Sequence, residues 1–145
     1  MSGSGPELDK LRFEPDPALA AKVRELAEHA VAMTAPAISP PLDYSEESVE
    51  ILEEILDEVH SDRANLDERR VFQLGAVFGS YLGEVLRRAH PAEWGQITAP
   101  DGSTFPGMRM IETRAVIWPW GRAQQRILEG AEHNVWTYYR YLTKD

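Results

Sequence analysis

Residues 71–88 read VFQLGAVFGSYLGEVLRR, the longest apolar run in the chain, and its three glycines, Gly75, Gly79 and Gly83, fall four apart. Four residues make about one turn of α-helix, so the glycines share one face. Val71, Phe72, Leu74, Val77, Phe78, Tyr81, Leu82, Val85 and Leu86 cover most of the rest. A helix that is apolar nearly all round belongs in the middle of a domain. Each interior glycine costs roughly 1 kcal/mol against alanine. Three in line therefore predict that another backbone passes close to that face. The run is too short for a membrane span, contains Glu84 and follows Asp67-Glu68-Arg69-Arg70, so it reads as a buried core helix.

Working outward, Asn65 with Glu68 three later reads as a capping box for this helix, and His90-Pro91 closes it. Asp16 as N-cap and Pro17 at the first helical position open an earlier helix. Along it Leu19, Val23, Leu26, Ala30 and Met33 recur at steps of three and four. The proline-rich loop APAISPPL, residues 35–42, ends it in stiff, extended chain. A second helix is expected over about 45–60, capped by Asp43 or Ser45, with Val49, Leu52, Ile55, Leu56 and Val59 as its apolar stripe. Its other face is Glu46, Glu47, Glu50, Glu53, Glu54, Asp57 and Glu58, with no base among them. Acids in the last turn oppose the helix dipole and repel one another at i,i+4, so packing must hold this helix.

After His90 the character changes. Turn signals at 100–102 and 106–107 and β-friendly residues predict antiparallel strands over 94–98 and about 110–117, with a short piece between. Pro119 opens a fourth helix ended by Gly130, and a last helix over about 132–142 carries Val135, Trp136, Tyr139 and Leu142. Residues 1–15 read as a flexible lead-in, MSGSG being the disordered part and Leu8, Leu11 and Phe13 docking on the body. Residues 16–145 read as one domain. The order predicts an α+β fold: about five helices around the Gly-rich one, with a small antiparallel hairpin or three-stranded sheet. The first, second and last helices are expected on the central helix, with the sheet over one end.

Composition narrows the function classes. The chain has 145 residues, 43% of them hydrophobic, and a net charge of −9. Residues 1–70 carry 17 acids against 7 bases, and residues 71–145 carry 7 against 8. An acidic chain has no general attraction for a phosphate backbone, which argues against nucleic acid. With no cysteine there is no disulfide framework, thiolate metal site or cysteine nucleophile, as suits a cytoplasmic protein. The N-terminal MSGSGPELDK has no leader pattern.

Candidate chemistry is sparse. Asp57/His60, Glu25/His29 and Glu129/His133 have helical carboxylate–histidine spacing, but a di-iron bundle needs two consistent Glu-x-x-His pairs with further inward carboxylates. Glu50 and Glu53 suit a magnesium-holding pair, yet no second acidic pair follows. There is no nucleophile elbow and no phosphate loop. The expectation is no catalytic residue, metal or cofactor. Glu84 is the polar oddity of the central helix. If buried it needs a partner, for which Arg114, Arg122 and Arg126 are the candidates. The aromatic group Trp94, Trp118, Trp120, Trp136, Tyr138, Tyr139 and Tyr141 is either a binding surface or a seal between sheet and helices.

Three stretches taken together resemble a bacterial family of small domains of unknown function. They are LDYSEES at 42–48, GSYLGEV at 79–85 followed by Trp94, and VIWPW at 116–120 leading to QRILEG at 125–130. The resemblance covers about residues 40–142 and implies an α+β domain without an assigned activity.

The leading expectation is a non-enzymatic domain that binds a basic protein partner through its acidic helix, an immunity- or antitoxin-like role being one concrete form. An alternative places a ligand pocket between sheet and central helix, lined by Tyr44, Tyr81, Glu84, Trp94, Trp118 and Arg122, with Trp120 and Arg126 as further binding candidates. A third is a homo-oligomer joined through the glycine face or the aromatic group.

Overall fold

A computed structural model describes residues 11–144; the lead-in residues up to 10, including MSGSG and Leu8, lie outside it. In chain order the elements are β1 (Arg12–Pro15), α1 (Pro17–Thr34), α2 (Ser48–Ser61), α3 (Glu68–Ala89), β2 (Ala92–Thr98), β3 (Thr104–Met110), β4 (Val116–Ile117), α4 (Pro119–Glu129) and α5 (Val135–Thr143). Short 3-10 turns occupy Arg63–Asn65 and Ala131–His133. The fold is α+β, and the sheet is four-stranded and antiparallel in the order β1-β2-β3-β4.

The central helix is α3, with every residue from Leu74 to Leu86 buried. Its glycine face is covered by three different things. At Gly79 it is backbone: a Cβ there would lie 2.6 Å from Trp120 Cα and 2.7 Å from the Pro119 carbonyl oxygen. At Gly75 it is the Gln124 side chain, and at Gly83 the Trp94 ring and Met108 sulfur. The expected close backbone approach is therefore confined to Gly79, where the N-terminus of α4 crosses. The whole stripe is covered from within the chain.

Several local expectations are corrected. Asp67, not Asn65, caps α3, its carboxylate accepting the Arg70 N–H at 2.8 Å. Asn65 lies in the preceding 3-10 turn and donates to Asp62. α2 starts at Ser48, because Asp43 and Ser45 hold a turn instead: Asp43 accepts the Ser45 N–H at 3.0 Å, and Ser45 Oγ accepts the Ser48 N–H at 3.2 Å. The main partner of β2 is residues 104–110, with Gln96 opposite Pro106 and Gly95 opposite Gly107, so the presumed turn signal is strand. β4 reaches only Met108 and Arg109, which leaves the Pro106 end of β3 open on that side, where a proline is tolerated. Phe13 and its neighbours in the supposed lead-in pair with β2 as a fourth strand. α1 and α4 flank α3, whereas α5 packs on α2.

Candidate functional site

Glu84 is fully buried beside the sheet. Its carboxylate accepts the Trp94 indole N–H at 2.9 Å and two guanidinium N–H groups of Arg87 at 2.8 and 2.9 Å. The partner is thus one helical turn away on the same helix, and none of Arg114, Arg122 and Arg126. Burial is the strongest single influence and pushes the carboxyl upward. The hydrogen bonds from Arg87 and Trp94, with the charges of Arg87 and Arg88, outweigh it and hold the group below its ordinary value. A depressed carboxyl stabilises the fold fully above its unfolded pKa and loses that contribution as the pH falls through the lower folded value. Glu84→Gln should therefore destabilise the protein at pH 7, and the gap to the wild type should close below about pH 4.5. Urea unfolding midpoints at pH 7, 5, 4 and 3 measure it.

Tyr81 is also fully buried. Its hydroxyl accepts the Tyr44 backbone N–H at 2.9 Å and meets Ser48 Oγ at 2.6 Å. Tyr44 has a positive φ of 65°, a backbone region costly for a non-glycine residue. It is held there by that bond, by its own hydroxyl donating to Glu28 at 2.6 Å, and by the Arg88 guanidinium 3.6 Å above its ring. These contacts lock the end of the proline loop onto α1 and α3.

The seven acids of the second helix region divide into two rows. Glu46, Glu53 and Asp57, with His60, face α4 and α5. Glu46 accepts the Tyr139 hydroxyl at 2.5 Å and contacts His90 at 3.2 Å. The Tyr139 bond, ahead of His90, holds the Glu46 carboxyl below its ordinary value. Arg126, 1% exposed, donates from Nε to Glu53 at 2.9 Å and from Nη2 to Asp57 at 2.7 Å, while its Nη1 has no partner among the described residues. Glu53 further accepts the Val135 N–H at 3.0 Å, which fixes the start of α5. His60 Nδ1 lies 2.7 Å from the Ile127 carbonyl oxygen, with Gly130, at a φ of 102°, against its ring. The outer row, Glu47, Glu50, Glu54 and Glu58, is exposed, and none of the four makes an ion pair among the described residues. Beside it runs a groove of about 450 Å³ between α1, α2 and α3, with Met33, Ile55, Val59, Leu66 and Leu74 as apolar walls and Glu58, Asp62 and Arg70 as its charged lining.

The remaining candidates are dispersed. Trp94 and Trp120 belong to the core, the latter donating its indole N–H to Ser80 at 2.9 Å. Trp118 is 45% exposed and packs on Phe105. Arg122 lies over the Tyr138 ring and donates to His133 Nδ1 at 3.2 Å. His133 Nε2 meets Glu129 at 2.7 Å, and Glu132 is close by. With Nδ1 accepting from Arg122, Nε2 carries the proton and donates to Glu129, which makes this trio a hydrogen-bonded helix end rather than a ready metal site. The six residues expected to line one pocket, and the further candidates Trp120 and Arg126, are spread over separate networks, and the junction of sheet and α3 is filled by Trp94 and Met108 against Gly83, with Glu84 bonded to Trp94.

No family model matches the chain, and no curated protein matches it in sequence. The fold is similar to that of a solved structure from Bacteroides thetaiotaomicron VPI-5482, with a TM-score of 0.67 at 15% identity. The match covers 92% of this chain and 47% of the other, so this chain spans less than half the length of that protein. At that identity the likeness is one of fold.

The residues that sequence reasoning missed had modest signals. Arg87 stands at i+3 from Glu84, a spacing that pairs side chains on a helix. Ser48, whose hydroxyl meets Tyr81, had none, and Tyr139, named in the aromatic group, gave no sign of its bond to Glu46. Among the described residues no helix is long and apolar enough to cross a membrane.

Proposed function

We propose that this chain is a non-enzymatic, cytoplasmic bacterial domain that binds a basic protein partner through the outer face of α2, in the manner of an immunity protein or antitoxin. The observation that carries the reading is the outer row, Glu47, Glu50, Glu54 and Glu58, exposed and without cationic partners among the described residues. Its positions span about 16 Å at the α-helical rise. Glu50, Glu54 and Glu58 stand at i,i+4 and repel one another, a local cost that a cationic partner relieves. The neighbouring groove supplies what charge alone lacks, an apolar anchor site with a charged rim, which is the usual anatomy of a protein interface. A net charge of −9 supports a basic protein over nucleic acid.

The test separates the two rows. Native-lysate capture at low salt should retain one basic protein in stoichiometric amount and release it as salt rises. Glu50→Lys, Glu54→Lys and Glu58→Lys together should slow association with that partner by about tenfold or more at low salt, with the difference shrinking at high salt. Glu53 is left intact because Arg126 depends on it. Stability should change by no more than about 0.5 kcal/mol, since the three lysines repel one another at i,i+4 as the glutamates did while Glu47, Glu53 and Asp57 now stand three residues from one of them. An unchanged association rate removes this face from consideration.

A further inference from the structure

A second groove of about 450 Å³ lies between α1, α3 and the start of α4, and its chemistry is opposite to that of the acidic face. Its floor is Leu26, Ala76, Val77 and Trp120, and Phe72 forms a wall. Phe72 is 54% exposed, an unusual position for an aromatic residue of the central helix. Its ring meets Trp120 edge-on, 6.2 Å between centroids and 87° between planes. Trp120 is fixed by its bond to Ser80 and by the backbone contact at Gly79, so the aromatic corner is preformed.

Around this apolar surface stand Lys22, His29 and Arg70, all exposed. Lys22, His29 and Arg70 make no ion pair among the described residues, as holds for most of the chain's Lys and Arg, so no carboxylate closes the basic rim of this groove. Glu25, one turn from both Lys22 and His29, pairs with neither, and Glu28 is taken by Tyr44. Among the described residues the Arg70 side chain bonds only to Gln73, at 3.3 Å.

We propose that this groove binds a small aromatic carboxylate, its ring against Phe72 and Trp120 and its carboxylate among Arg70, Lys22 and His29. The volume lies within the range of small-ligand sites, which combine apolar lining with a few polar groups that fix orientation. The planar guanidinium of Arg70 suits a carboxylate bidentately. The glutamates of the acidic row lie outside this groove, and although Arg70 also borders the groove beside that row, Phe72, Trp120, Lys22 and His29 do not, so binding here does not depend on the protein-partner reading.

The probes are 2-naphthoate and its uncharged counterpart 2-naphthamide, titrated into the full chain and followed by amide and indole chemical shifts. Naphthoate should saturate in the sub-millimolar range and shift Phe72, Ala76 and the Trp120 indole, and naphthamide should bind about tenfold more weakly. Lys22→Gln with Arg70→Gln should abolish most of that preference, each exposed charge accounting for a factor of about two to five. Phe72→Ala should weaken both probes. All three side chains are exposed, so the variants should keep the wild-type shifts elsewhere. Equal binding of the two probes, shifts centred away from this groove, or no saturation by 10 mM naphthoate, on the order of the weakest specific site worth the name, overturns the proposal.

Discussion

Replacing Arg126 by methionine should lower the free energy of unfolding by about 3–5 kcal/mol, the usual penalty for removing one member of a buried ion pair. In a chain of this size that reads as a fall in Tm of roughly 10–15 °C. The guanidinium is 1% exposed and ties α2 to α4 through Glu53, whose side chain is itself only 13% exposed. Methionine fills much of the space but leaves Glu53 charged and half-enclosed, with only the Val135 N–H to satisfy it. Asp57, 63% exposed, is resolvated at little cost. Adding Glu53→Gln to Arg126→Met should recover a substantial part of the loss, because the amide carries no charge and still accepts the α5 N–H. A double-mutant cycle by urea denaturation measures the coupling. A cycle with no coupling would mean that the pair does not hold these helices together.

The second large effect is expected at Gly79. Alanine improves helix propensity by roughly 1 kcal/mol, and at Gly75 that gain should nearly balance the displacement of a flexible Gln124 side chain. At Gly79 the added methyl would meet the Trp120 Cα and the Pro119 carbonyl group at 2.6–2.8 Å. Backbone cannot rotate aside, so α4 must move off α3 and carry with it Trp120, its bond to Ser80, and Arg126 further along the helix. Overpacking of this kind costs about 1–3 kcal/mol, and Gly79→Ala should fall at the upper end despite its better propensity. Thermal unfolding of Gly75→Ala and Gly79→Ala side by side tests it; equal Tm values would mean that α4 does not rest on Gly79.

These contrasts show how far the sequence could be read. Apolar periodicity located α1 and α3, and Asp16-Pro17 marked the start of α1 correctly, because caps and stripes are local. The glycine stripe announced a close approach, but which element approached, and whether with backbone or side chain, depended on tertiary placement. Pro106 and Gly107 read as a turn because proline is rare inside sheets, and only the two-residue length of β4 leaves room for it. The acid-rich face of α2 looked uniform because a helical projection does not reveal which part of its circumference a neighbour will cover. Packing of α4 and α5 turned Glu46, Glu53 and Asp57 into internal ties and left the other four outside. The groove at Phe72 was hidden for a related reason: Lys22 and His29 come from α1 and Arg70 from α3, and the two sets become neighbours only when α1 lies on α3.

The short strand β1 also changes how the sheet meets its surroundings. Arg12–Pro15 pairs along Gly95–Thr98, and the Glu14 carbonyl oxygen passes so close to Gly95 that a Cβ there would be 2.2 Å away. Without this cover, β2 would present a long row of free N–H and C=O groups, a template for strand addition by another molecule. With it, one rim of the sheet is a four-residue strand ending in proline, and the other is the two-residue β4 beside an open stretch of β3 that Pro106 interrupts, so neither offers a long continuous row for intermolecular β-pairing. Four residues near the start of the described chain thus guard the sheet against aggregation, a task for which they need no contact with either groove.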